Sequence, residues 1–110
     1  MYHIEEAANM LKLLGNKTRL TIMAILNEAD CCVCELVELL QMSQPAISQH
    51  LRKLKDNGLV KETKRAQWVF YSLNKKHEFY PMMQSIFAYL LDPKEHIRQL
   101  KEKGMRIQCE

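Results

Sequence analysis

Apolar positions recur along this chain at three- and four-residue intervals over most of its length and switch to strict alternation once, just past its middle. Ile4, Ala7, Ala8, Leu11 and Leu14 form the first stripe, closed by Gly15, and predict a helix over about 3–14. Asn16 is placed to cap a second helix with Leu20, Met23, Ala24 and Leu26 on its inner face. A third is expected from about Val33 to Leu40, with Leu36, Leu39 and Leu40 inward, ending in a polar turn at Gln41 to Ser43. The fourth, over about 43–56, is punctuated at both ends. Ser43 is a good N-cap, and Pro45 sits in the first turn, where a missing N–H costs nothing. Ile47, Leu51 and Leu54 make an i, i+4, i+7 stripe, and Asp56-Asn57-Gly58 supplies the stop.

Beyond Gly58 the period becomes two. Leu59 to Thr63 and Trp68 to Leu73 predict a β-hairpin over about 59–73, with Val69, Tyr71 and Leu73 on one face and Lys64-Arg65-Ala66-Gln67 at its tip. Pro81 then lies near the start of an apolar helix over about 80–91, and Asp92-Pro93 with Glu95 opens a last one over about 93–103, closed by Gly104. The order helix, tight turn, helix, hairpin is that of a winged helix-turn-helix, mainly α with a small β-hairpin, as one domain over 1–110. The 80–91 helix is apolar on more than one side. It and the first helix are expected to pair with their copies in a homodimer, setting two recognition helices roughly 34 Å apart.

Composition sharpens this picture. The chain has 110 residues, of which 47% are hydrophobic, enough for one real core, and no apolar run approaches the ~20 residues that cross a bilayer. A cytoplasmic protein with no membrane partner is expected. The formal net charge is only +3, but it is segregated. Between His50 and Arg65 six cationic residues face two acidic ones, whereas Glu28 to Glu38 holds Glu28, Asp30, Glu35 and Glu38 with no Lys or Arg. The cationic stretch coincides with the outward face of the fourth helix and with the hairpin tip. Ser43, Gln44, Ser48, Gln49, His50, Arg52 and Lys53 on that helix, and Lys64 and Arg65 on the tip, are the candidate contacts to double-stranded operator DNA. Such groups read base edges and bind phosphates, and no cofactor is required for that contact.

Three of the four cysteines, Cys31, Cys32 and Cys34, fall within four positions at the entrance of the third helix, with Cys109 alone near the end. Structural cysteines scatter as small hydrophobes, and adjacent residues make an implausible disulfide framework, so the clustering favours metal or redox chemistry. On a regular helix residues 32 and 34 diverge. At a helix entrance the chain can curl and aim both sulfurs at one ion, and Cys31 and Cys34 lie a turn apart. The acidic neighbours disfavour thiolates in the empty site, so a bound ion has to drive deprotonation. A dithiol redox switch on Cys31 and Cys34 is the alternative. A thiol oxidoreductase is the weaker one, since no βαβ pattern surrounds the cysteines, and the chain is read as a non-enzyme.

Four segments in order carry a resemblance. Leu11 to Leu20 (LKLLGNKTRL) resembles the early "LKxLaxxtRL" segment of the ArsR/SmtB family of metal-responsive repressors, and Cys32-Val33-Cys34-Glu35-Leu36 resembles its "CVCDL" metal box. Ser43 to Leu51 (SQPAISQHL) is similar to its recognition helix, and Trp68 to Leu73 (WVFYSL) to its outgoing wing strand. The resemblance covers nearly the whole chain and is greatest to the arsenite- and antimonite-responsive type. It implies a dimer that holds operator DNA when metal-free and releases it when thiolates capture As(III) or Sb(III), with Cd(II) or Pb(II) as alternative inducers. Arsenic repressors with this box often carry a further cysteine one turn along, where Val37 stands here, so the third sulfur is expected from Cys31 or, with a folded-back or dimer-crossing tail, Cys109. Cadmium- and lead-type relatives draw cysteines from an N-terminal extension that does not precede Met1 here, which favours a three-sulfur site. The family's second site, for zinc, aligns with Lys75, His77, Ala88 and Leu91, leaving His77 without partners and read as a surface residue. Ala66 stands at the wing tip where glycine is usual, and is expected to widen the turn.

Overall fold

The computed structural model describes residues 2–90. Five helices and three strands follow in the order α1 (Ile4–Leu14), α2 (Lys17–Glu28), β1 (Cys31–Cys32), α3 (Val33–Leu40), α4 (Gln44–Asp56), β2 (Val60–Arg65), β3 (Trp68–Leu73) and α5 (Tyr80–Phe87). The helix anticipated over 93–103, Leu91 and Cys109 lie outside the described residues.

Local chemistry sets the boundaries. The Asn16 side chain accepts from the Arg19 amide at 3.0 Å, and the Ser43 hydroxyl accepts from Ala46 N at 3.3 Å, each satisfying an orphan donor of the helix it starts. Gln41 adopts φ 54° to end α3 and turn the chain into α4, and Gly58 at φ 75° ends the segment after α4. A Cβ at Gly58 would come within 3.2 Å of His77 Cδ2. His77 is therefore not the surface residue expected. It is half-buried, its Nε2 donates to the Asn57 carbonyl at 3.1 Å, and its Nδ1 accepts from Phe79 N at 2.9 Å. The ring pins the end of α4 to the start of α5.

The core gathers Ile22, Met23, Ile25 and Leu26 of α2, Leu36 of α3, Ile47, Leu51 and Leu54 of α4, Leu59, Leu73, Phe79 and Met83. The α4 stripe is buried as its spacing requires. α2 is buried more broadly than one stripe because other helices and the sheet cover it; Ile22 and Ile25 join the core, whereas Leu20 is only half-buried. On α3, Leu36 is buried but Leu39 and Leu40 remain half-exposed.

The sheet has three strands in the order β1-β3-β2, one more than the hairpin expected. β2 and β3 pair antiparallel from Val60↔Leu73 to Arg65↔Trp68, leaving a two-residue loop at Ala66-Gln67. The turn is tight, contrary to the widening expected of Ala66, because Ala66 itself takes φ 57°. That conformation costs a Cβ-bearing residue roughly 1–2 kcal/mol. Of Val69, Tyr71 and Leu73, only Leu73 is buried, since the other two stand nearer the tip and farther from the helices. β1 is added by Cys31 pairing with Tyr71 and Cys32 with Phe70. Two residues are too few to show a period. The fold is a winged helix-turn-helix, and among the described residues no helix is long and apolar enough to cross a membrane.

Candidate thiol and nucleic-acid site

Cys32 ends a strand and caps a helix. Its extended backbone, φ −89° and ψ 168°, leaves the sheet, and its N–H donates to the Glu35 carboxylate at 2.9 Å, so Glu35 caps the first turn of α3 from within. Glu35 is buried, at 1% exposure. This entrance geometry curls Cys34 back toward Cys32, and their sulfurs lie 3.1 Å apart, beyond the roughly 2.05 Å of a disulfide bond between them.

Cys31 is placed differently from the expectation that it joins them. Successive strand residues face opposite ways. Cys31 packs fully buried in the hydrophobic core, with its Sγ 3.5 Å from the Ala29 carbonyl. The structure thus brings together Cys32 and Cys34 and leaves Cys31 on the other side of the strand. Among the described residues no group of three His, Cys, Asp or Glu side chains is arranged to hold a metal ion.

The pair opens into a cleft of about 630 Å³ between the helix-turn-helix and the wing. Cys32, Cys34, Val33 and Val37 form one wall, Trp68, Val69 and Tyr71 another, and Gln44 and Ser48 of α4 line it as well. Two residues proposed to read DNA therefore share a cavity with the thiols.

At the cleft's far side Glu62 accepts from Lys55 Nζ and, at 2.9 Å, from the Tyr71 hydroxyl. These two hydrogen bonds, Lys55 first, hold the Glu62 carboxyl below its ordinary range, while burial and then the bond to Glu62 push Tyr71 up to about 12. The pair ties the end of α4 to both wing strands. Sequence reasoning missed Glu62 and Tyr71. The signal was a two-residue turn at Ala66-Gln67, which fixes Glu62 opposite Tyr71.

The DNA candidates divide by environment. Ser43 is occupied as the cap of α4, whereas Gln44, Gln49, Arg52 and Lys53 are exposed along it and Ser48 is half-buried at the cleft. His50 is half-buried and meets Arg19 Nη1 through Nδ1 at 3.3 Å, while Arg19 Nε donates to the Leu13 carbonyl at 2.7 Å. Burial, then the Arg19 and Lys53 charges, lower the His50 pKa. Lys64 is exposed at the wing tip. Arg65 folds back instead. Its Nη2 pairs with Asp30 at 2.9 Å, and its guanidinium lies 4.8 Å from the centre of the Phe70 ring.

Residues 16–62 match the family described as bacterial regulatory protein, arsR family. The chain is 40% identical over 75 residues to the arsenical resistance operon repressor of Staphylococcus xylosus, covering 68% of this chain and 70% of that one. The chain belongs to the ArsR family. An uncharacterized HTH-type transcriptional regulator of Methanocaldococcus jannaschii is 43% identical over 72 residues, covering 64% of this chain and 81% of its own. The structure of reduced HlyU from Vibrio cholerae superposes with a TM-score of 0.70 at 38% identity, covering 79% of this chain and 92% of that one. This ArsR-family chain is a transcriptional regulator by family and fold, not an enzyme. The winged helix-turn-helix is the family's DNA-binding device.

Proposed function

We propose that this ArsR-family regulator is a homodimeric repressor that binds operator DNA through α4 and the wing, and lets go when Cys32 and Cys34 capture As(III) or Sb(III). The observation that carries the reading is the placement of two sulfurs 3.1 Å apart in a cleft that Gln44 and Ser48 also line. With ion–sulfur bonds of about 2.3 Å, that separation subtends an angle of about 85° at the ion. This is close to the right angle of a pyramidal lone-pair ion and well below the tetrahedral angle that Zn(II) or Cd(II) prefers. The likeness to a repressor named for arsenical resistance supports the same inducer.

Gln44, Ser48, Gln49, Arg52, Lys53 and Lys64 are the proposed contacts, with Ser43 positioning the start of the helix and His50 fixing it to α2. Capture at the cleft moves the wall that carries α4. A coupling of ~1–3 kcal/mol, typical of allosteric proteins, lowers operator affinity up to ~150-fold.

The decisive experiment measures affinity for an operator selected from random duplexes, with and without arsenite, in the wild type and in Cys32→Ser and Cys34→Ser. Arsenite is expected to weaken wild-type binding at least tenfold and to leave both variants bound. Arsenite-insensitive wild type, or variants that still respond, ends the proposal. A second reading, thiol oxidation as the trigger, is favoured by one observation: the same two sulfurs are about 1 Å from bonding distance. It predicts release by peroxide and indifference to arsenite, and it uses Cys32 and Cys34, not the Cys31 and Cys34 pair expected from spacing.

A further inference from the structure

Arg19 stands at the junction of three helices, away from the thiols. Its backbone is fixed by the cap of α2, where Asn16 accepts from Arg19 N at 3.0 Å, and its half-buried side chain serves the two neighbouring helices. Nε donates at 2.7 Å to the carbonyl of Leu13 in the last turn of α1, where helix carbonyls lack partners and a cation suits the negative end of the dipole. Nη1 lies 3.3 Å from Nδ1 of His50, in the middle of α4. A guanidinium only donates, so His50 Nδ1 is the acceptor. Burial, with the Arg19 and Lys53 charges, disfavours a cationic ring and so preserves that acceptor.

The planar fork makes this connection rigid. Nε and Nη1 belong to one plane, so a single group holds the Leu13 oxygen and the His50 nitrogen at a set separation. A lysine offers one nitrogen on a flexible stem and cannot reproduce the fork. α1 in turn exposes Ile4 and Leu11, on the helix proposed to meet a second copy of the chain. The line of contacts therefore runs from α1 through Leu13 and Arg19 to the recognition helix.

We infer that Arg19 is a positioning residue that fixes the two α4 helices relative to the dimer axis, and thereby sets which half-site spacing the protein accepts. The inference rests on the homodimer and on the α4 contact proposed above. Arg19 acts here through His50 and Leu13, not by touching a base. Moving one half-site by a base pair shifts it about 3.4 Å along the duplex and turns it about 35° around the axis. Two recognition helices held rigidly cannot follow that change, whereas helices with slack absorb part of it.

The test measures the full chain's affinity for duplexes carrying the selected operator's two half-sites at their native spacing and one base pair closer or farther, and for a duplex carrying one half-site. The wild type is expected to lose at least tenfold on either shift. Arg19→Lys, which keeps the charge, and His50→Leu, which removes the acceptor, are expected to lose about threefold or less on the same shifts. Both should sediment as dimers and bind the single half-site within about threefold of the wild type. His50→Asn places Oδ1 near the position of Nδ1 and is expected to restore the sharp spacing profile. A wild-type profile that is flat, or a profile that stays sharp in both Arg19→Lys and His50→Leu, overturns this inference and leaves the repressor reading standing. Variants weakened equally on every duplex, the single half-site included, show a merely structural role and overturn it too. A wild type that sediments as a monomer, or ignores duplex DNA at low ionic strength, overturns both.

Discussion

Glu35 shows how one side chain serves fold and site together. It is an acidic residue at 1% exposure, yet its carboxylate does local work, accepting the Cys32 N–H that starts α3. Removing it leaves a buried donor unsatisfied, a cost of about 1–3 kcal/mol. Glu35→Ala is expected to lower unfolding stability by about that amount in denaturant titrations and to weaken arsenite binding, because Cys32 loses the geometry that aims it at Cys34. Glu35→Gln keeps an oxygen acceptor and is expected to recover most of both. Equal losses in the two variants would mean that charge, and not the cap, is what matters. His50 makes a related point. The sequence offers it as a DNA contact on a cationic face, and the structure sets its ring against Arg19, which together with burial lowers its pKa.

At the scale of elements, the wing is bound to the cysteine segment by more than the β1–β3 pairing. Arg65 at the end of β2 reaches Asp30, the residue just before Cys31, and stacks on Phe70, the register partner of Cys32. An exposed ion pair of this kind contributes little to stability. Its consequence is competition, since the same guanidinium cannot pair with Asp30 and neutralise a phosphate. Asp30→Asn is expected to raise operator affinity a few-fold at low salt and to steepen the log affinity against log salt plot by about one unit, the signature of one added phosphate contact. An unchanged slope would show that Arg65 does not reach the DNA.

Legibility in the sequence followed the strength of local signals. α4, expected over about 43–56 and observed as Gln44–Asp56, is legible because a cap, an early proline, an i, i+4, i+7 stripe and a glycine stop agree. The cysteine box was readable as a cluster. Its partition was not, because a two-residue strand decides that Cys31 enters the core and Cys32 faces Cys34, and that strand exists only through pairing with β3. The cleft was invisible for the same reason. Its walls come from α3, α4 and the wing, which only tertiary packing brings together.

At the scale of the whole molecule, several large apolar side chains stand exposed among the described residues. Ile4 is 89% exposed and Leu11 52% on α1, and Tyr89, just past α5, is 90% exposed. Exposed apolar residues on the first described helix and just past the last are the surfaces proposed to pair in the homodimer, which would set the spacing of the two α4 helices on DNA. The proposed dimer cannot grip its operator and hold an ion between Cys32 and Cys34 equally well at once. Binding linkage makes that antagonism reciprocal, so the factor by which arsenite weakens DNA binding must equal the factor by which DNA weakens arsenite binding. The direct measurement is a pair of arsenite titrations, on the free protein and on protein saturated with the selected operator. Arsenite affinity is expected to be at least tenfold weaker in the complex, matched to the loss of operator affinity; identical arsenite affinities in the two states would rule out the proposed coupling.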